Sequence, residues 1–195
     1  HTDNRRQRQM CIRDSRGPNS KGVVEYLLDW ELESDLVLIK GNHEQIMEEA
    51  TKSSEHFGYW CDVGGLETVI SYGAKLDNVP KKHWSFIKNG LPYYETGHCI
   101  FVHGGLDPDL PLEKQDPEEM AWRRFPDARP HMSGKRVICG HTVQRSGHPN
   151  DLGHSTCIDT GVYRSGGWLT CLNPMTRCYW QVNEKGKTRD GVLDT

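Results

Sequence analysis

Leu36-Val37-Leu38-Ile39-Lys40-Gly41-Asn42-His43-Glu44 sets a short apolar run before a glycine and three residues able to ligate, cap or carry protons. Four apolar residues bounded by a turn signal read as a buried strand, so Asn42 and His43 fall where a strand meets a loop. The same grammar recurs twice: Cys99-Ile100-Phe101-Val102 leads into His103-Gly104-Gly105, and Val137-Ile138-Cys139 leads into Gly140-His141. Strand ends are where α/β folds build active sites. One such block has an ordinary explanation in capping or turn residues, but three in order point to a constructed site.

Outward from these blocks the chain alternates. Asn19-Ser20 caps a helix from Lys21 to about Leu32, with Val23, Val24, Leu27 and Leu28 on one face. Glu44 to about Lys52 reads as a second helix. Tyr59-Trp60 with Gly64-Gly65-Leu66 opens a helical stretch ending near Gly73. Pro80 opens another, with Trp84, Ile87 and Leu91 turned inward, before Pro92-Tyr93-Tyr94 enters the strand that carries His103. This is an α/β pattern. Beyond His103, Asp107 to Pro111 is a turn, Pro117 to Arg124 a short helix and Pro126 to Gly134 a loop. Val137–Cys139, Thr156–Asp159, Trp168–Leu172 and Cys178–Val182 then predict a second sheet made largely of hairpins. The polar tail after Asn183 is expected to fray. No repeat or low-complexity tract is present.

The 195 residues are 35% hydrophobic and 26% charged, a soluble balance with room for one real core. A net charge of −3 and a pI of 6.4 give no general attraction to nucleic acid or anionic lipid. No apolar run approaches the roughly 20 residues that span a bilayer. Seven cysteines, never spaced as Cys-x-x-Cys, read as small buried thiols rather than a disulfide frame or a zinc knuckle. Together these favour a cytoplasmic protein without nucleic-acid or membrane partners.

Imidazole nitrogen and an amide oxygen suit Zn, Mn or Fe, which makes Asn42, His103 and His141 the candidate metal ligands. His43 diverges from its neighbour Asn42 and is better placed to act on substrate, as a general acid. Arg16 and Arg124 are the candidate phosphate clamps, because a planar guanidinium can hold two non-bridging oxygens. Trp60, Trp84, Trp168 and Trp180 read as core or rim aromatics. His56, His83, His98, His131, His148 and His154 read as solvated, with His148 and His154 the ones whose loop could overhang the site.

On these residues the chain resembles the calcineurin-like metallophosphoesterases, in particular the bacterial and phage-type phosphoprotein phosphatases, from about Arg16 to Val182. Arg16-Gly17-Pro18-Asn19-Ser20 resembles the end of that family's Gly-Asp-x-x-Asp-Arg-Gly block, and Gly41-Asn42-His43-Glu44 matches its Asn-His-Glu block. His103 and His141 correspond to its later metal histidines. Trp122-Arg123-Arg124 is similar to its Trp-x-Arg phosphate contact, and Ile158-Asp159-Thr160-Gly161 to a strand beneath the site.

The resemblance implies a sandwich of two mixed β-sheets flanked by helices. It also implies two divalent ions (Mn, Fe or Zn) bridged by a hydroxide that attacks phosphorus in line, with phosphoserine or phosphothreonine in a protein or peptide as substrate. Symmetrical hydrolysis of diadenosine tetraphosphate would use the same core, and a pseudo-phosphatase that binds phosphate without turnover is the non-enzyme reading. The family's Asp-x-His block has no counterpart here. Counting back from Arg16, its bridging Asp falls on Ile12 and its second Asp on Ser15, while Asp14 is out of register.

Residues 1–15 are polar and basic, resemble a translated sequencing adaptor, and are read as a non-native leader to a partial domain at 16–183 with a polar tail at 184–195. The first strand-helix-strand unit of the family is expected to be lacking. That predicts at most one partial metal site in this chain, impaired catalysis and self-association through an exposed sheet edge.

Overall fold

A computed structural model describes residues 9–10 and 17–193. Asn19 caps the first helix, α1 (Ser20–Glu33), by accepting from the Gly22 N–H, and Val24 and Leu27 turn inward as their spacing requires. Next comes α2 (Asn42–Glu49), then α3 (Ser54–Trp60), whose cap is Ser53. A π-helical turn over Cys61–Gly65 leads into α4 (Leu66–Ser71). The helix after Pro80, α5, spans Lys81–Lys88. Ile46, Met47, Trp60, Val69, Tyr72, Val79 and Ile87 form one buried cluster among these helices, and Val24, Leu27 and Phe86 form another.

The sheets follow. With β1 (Gln9–Met10) first in chain order, the later strands are β2 (Tyr93–Glu95), β3 (Cys99–Val102), β4 (Arg136–Cys139), β5 (Asn150–Asp151), β6 (Ser155–Cys157), β7 (Leu169–Leu172), β8 (Cys178–Val182) and β9 (Thr188–Val192). A mixed sheet runs β2-β3-β4-β6-β5, with β3, β4 and β6 parallel. A second sheet runs β1-β7-β8-β9 and is antiparallel throughout.

Alternation along β3 and β4 explains the layering. Ile100, Val102, Val137 and Cys139 face one side with Leu106, Met120 and Phe125, under α6 (Pro117–Trp122). Cys99, Phe101 and Ile138 face the other and meet Leu172, Tyr179 and Leu193. Burying each large aliphatic side chain in this double core contributes about 1.5–3 kcal/mol. Among the described residues six cysteines are free thiols, and no helix is long and apolar enough to cross a membrane.

Several expectations need correction. Leu36–Ile39 is not a buried strand: Ile39 makes one isolated parallel bridge to Leu91 and Val37 is exposed. A four-residue apolar run becomes a strand only where partners flank it, and Leu91 is the one bridge partner among the described residues. Leu91 itself is exposed rather than inward, because α5 has ended by Lys88. Val137–Cys139 and the strand at Thr156 do not belong to a second sheet of hairpins; β4 pairs in parallel with β3 and β6 in parallel with β4, since both are buried on two faces. That leaves the second sheet antiparallel instead of mixed.

The segment after Asn183 does not fray, because Asn183 to Lys187 make a turn that returns β9 along β8. Gln9–Met10, within the stretch read as a non-native leader, pairs with Cys171 and Leu172. His83 and His131 are not solvated. His83 is fully buried with Nδ1 at 2.9 Å from the Tyr72 hydroxyl, and His131 is held by Ser133 and the Leu110 carbonyl.

His83 gives the stability a pH dependence. Burial, and secondarily Lys82, lower its pKa below the ordinary 6.5, so the unfolded chain takes up the proton first. Stability is full above the unfolded value and falls as pH drops below about 6.5, levelling once the folded value is passed. The slope attributable to this one group is at most about 1.4 kcal/mol per pH unit. Urea unfolding at pH 5, 6, 7 and 8 is expected to show this fall. His83→Gln should remove its share, and an unchanged slope would assign the fall to other groups.

Candidate functional site

The parallel pair β3–β4 brings two of the sequence blocks together at its C-terminal end. His103 directly follows β3, Gly140-His141 directly follow β4, and Gly140 N–H donates to the His103 carbonyl at 2.7 Å. The two imidazole rings stand 5.3 Å apart between centroids. Asn42 is presented from the helical side, on the first turn of α2, and is buried. Its Oδ1 accepts from His103 Nε2 at 2.9 Å.

Gly41 makes that approach possible. A Cβ at Gly41 would lie 2.8 Å from His103 Cε1 and Nδ1, so only glycine lets the ring lie against the helix entry. The buried Glu44 carboxylate turns back to accept the Gly41 N–H at 2.6 Å, which fixes the helix start that carries Asn42. Glu44 was assigned no role on sequence, although its place three residues after the cap is the spacing that signals this contact.

His141 sits at φ +61°, and Thr142 N–H donates to the Gly140 carbonyl at 2.6 Å, making a tight left-handed turn. Such backbone in a non-glycine residue costs on the order of 1 kcal/mol and is kept only where surroundings over-determine it. Trp122 stacks edge-on to the His141 ring at 5.9 Å. The Thr142 hydroxyl accepts the Phe125 N–H at 3.0 Å, tying the chain beside Arg124 to the chain beside His141. Burial first, and then the positive charge of Arg124, lower the His141 pKa below its ordinary value; a backbone hydrogen bond at Trp122 opposes them. The result is a neutral imidazole with a lone pair to offer near neutral pH.

The two arginines of the Trp122-Arg123-Arg124 block differ. Arg123 reaches Asp107 at 3.5 Å and Glu119 at 3.4 Å, whereas Arg124 is exposed and has no ion-pair partner among the described residues. His43 lies on the other side of α2's first turn, partly exposed, lining a cleft with Ser20, Thr68, Tyr72 and Trp60. The geometry thus gathers Asn42, His103, His141, Trp122 and Arg124, whereas His43 lines a separate cleft that includes none of them. Arg16, with Ile12, Asp14 and Ser15, lies outside the described residues. Of the two loop histidines, His148 turns to the Tyr179 hydroxyl at 3.2 Å and His154 to the Ala128 carbonyl at 3.3 Å.

Asn42 Oδ1 and His103 Nε2 meet at hydrogen-bond distance, and His141 brings a neutral nitrogen donor beside them. An amide oxygen and two imidazole nitrogens are donor types that could hold one divalent ion of the Zn, Mn or Fe type. Among the described residues no group of three or more His, Cys, Asp and Glu gathers.

No protein-family model matches the chain, and no curated protein matches it. A solved crystal structure, that of a "putative diadenosine tetraphosphatase", superposes with a TM-score of 0.55 at 14% sequence identity, over 91% of this chain and 75% of that one. At that identity the likeness establishes the fold: a two-sheet α/β sandwich with helices packed outside.

Proposed function

We propose that the chain carries the core of a metal-dependent phosphoester hydrolase, with phosphoserine or phosphothreonine in proteins as the substrate class. The observation that carries this reading is the meeting of Asn42, His103 and His141 beside an arginine without an ion-pair partner among the described residues. A divalent ion on those three donors would supply Lewis-acid polarisation of a phosphoryl oxygen. Arg124 binds the phosphate and offsets charge that develops on its equatorial oxygens. Arg123, held by Asp107 and Glu119, shapes the loop from which Arg124 projects. Trp122 packs edge-on to the His141 ring and helps to fix it. His43, partly exposed and next to Asn42 on the first turn of α2, is the donor of a proton to the departing alkoxide in this reading.

A second reading, symmetrical hydrolysis of diadenosine tetraphosphate, is favoured by the name of the structural neighbour. Product analysis separates the two: inorganic phosphate from a phosphoserine or phosphothreonine peptide, or two molecules of ADP from the dinucleotide, each assayed with Mn2+. Arg124→Ala is expected to lower kcat/KM by about 100- to 1,000-fold, the scale for removing one group that stabilises developing charge. Arg123→Ala should cost far less. If neither substrate is turned over while phosphopeptide binding survives and weakens in Arg124→Ala, the hydrolase reading fails and a non-catalytic phosphate binder replaces it.

A further inference from the structure

Arg189 makes an unusual set of contacts for a residue in a segment that composition marks as a polar tail. It stands on β9, partly buried, and its guanidinium lies 4.0 Å from the centroid of the Trp168 ring. Its Nε donates to Gln181 Oε1 at 2.7 Å, and its second terminal nitrogen donates to the Gly147 carbonyl at 2.5 Å. Gln181, itself buried, donates to the same Gly147 carbonyl at 2.9 Å and to the Thr170 hydroxyl at 2.8 Å. Both lone pairs of one loop carbonyl are therefore filled from the second sheet. The cation meets an amide, a carbonyl and an indole, and no carboxylate among the described residues.

Gly147 is required for this meeting. It sits at φ +74°, and a Cβ there would lie 3.3 Å from Arg189 and 3.4 Å from Trp168. From Gly147 the bonds run back to His141. Gly147 N–H donates to the Gln144 carbonyl at 3.0 Å, and Gln144 N–H donates to the Asp159 carbonyl at 2.8 Å. The Gln144 side-chain amide donates to the Thr142 carbonyl at 2.7 Å, one residue from His141. The strained backbone of His141 thus has a near anchor at Phe125–Thr142 and a far anchor at Gly147.

We propose that Arg189 is a positioning residue for His141: by clamping Gly147 from the second sheet it holds the 142–147 loop, and with it the imidazole, in register with His103. The significance of this for ion binding rests on the hydrolase reading above, while the positioning itself does not.

The test uses the full chain as wild type, Arg189→Met and Arg189→Lys. Methionine keeps an apolar stem against Trp168 and removes the donors; lysine keeps one cationic donor. In Arg189→Met, amide exchange at Gln144 and Gly147 is expected to quicken about 10-fold, the amide and ring signals of His141 to shift, and its ring contact with Trp122 to weaken in NMR spectra. Affinity for Mn2+ alone, measured by titration, should fall about 10-fold, with Arg189→Lys intermediate on every measure.

Unchanged exchange and unchanged His141 signals in both variants would overturn the proposal. So would a loosened loop with wild-type Mn2+ affinity, since Arg189 would then be a staple without reach to the site. If wild type takes up no Mn2+, the ion reading falls, and the His141–Trp122 contact decides positioning by itself: lost in Arg189→Met it stands, kept it fails. Should Arg189→Met not fold, Arg189→Lys carries the same comparison.

Discussion

Gly104→Ala is expected to destabilise the fold by about 3 kcal/mol and lower its melting temperature by about 10 °C, as a chain of this size responds to overpacking against rigid atoms. The new Cβ would lie 2.7 Å from the Arg123 carbonyl oxygen, 2.8 Å from that of Met120 and 3.0 Å from the Ala121 carbonyl carbon. All three are backbone, so no side-chain rotamer relieves the clash. The same movement breaks the paired bonds from Gly104 N–H and Gly105 N–H to the Met120 carbonyl, at 2.9 and 3.0 Å. Those bonds hold α6 and the Trp122-Arg123-Arg124 block against the end of β3. Stability and phosphate binding should therefore fall together, as thermal melts and phosphopeptide titration would read. A variant that melts like wild type would mean that α6 floats free of β3.

His103→Ala separates site from scaffold. Mn2+ affinity is expected to fall by at least about 100-fold, the upper range for disturbing a ligand's surroundings and so a lower bound for deleting a ligand. Stability should drop by only about 1–2 kcal/mol, from the lost bond to Asn42 and the buried Oδ1 it leaves unmatched. His103→Gln, which can still reach Asn42, should recover much of the stability and little of the affinity. Titration and urea unfolding of the two variants give both numbers. Equal Mn2+ affinity in wild type and His103→Ala would place any ion site elsewhere.

The sequence was legible where local chemistry sufficed. Asn19 capping α1, Pro80 opening α5 and the apolar runs ahead of His103 and His141 all needed nothing beyond neighbours in the chain. Partner choice was not legible. Val137–Cys139 pairs with β3 and Ser155–Cys157 with β4, both in parallel across long intervening segments, and a two-faced apolar strand carries no mark of which sheet will take it.

The same limit hid β9, whose Thr188-Arg189-Asp190-Gly191-Val192 carries no apolar alternation and becomes a strand because β8 is there to pair with. At the site, His103, His141 and Asn42 could be named from motif position. The stacking of Trp122 on His141, the cap made by Glu44 and the division of labour between Arg123 and Arg124 depend on distances that spacing does not encode.

The parallel pairing of β3 with β4 has a consequence for how the chain acquires its properties over time. Cys99–Phe101 align with Arg136–Ile138, so the intervening segment must be closed into a loop before the two strands can zip. Loop closure of that length is paid in entropy ahead of any reward, which makes such ladders slow to form. His103 and His141 are strangers in the denatured ensemble and become neighbours only at the end of that search. A small ligand that needs both rings therefore binds the finished state alone and pulls the folding equilibrium toward it by mass action. Refolding rate and ligand capture become two readings of one event, the docking of β4 along β3.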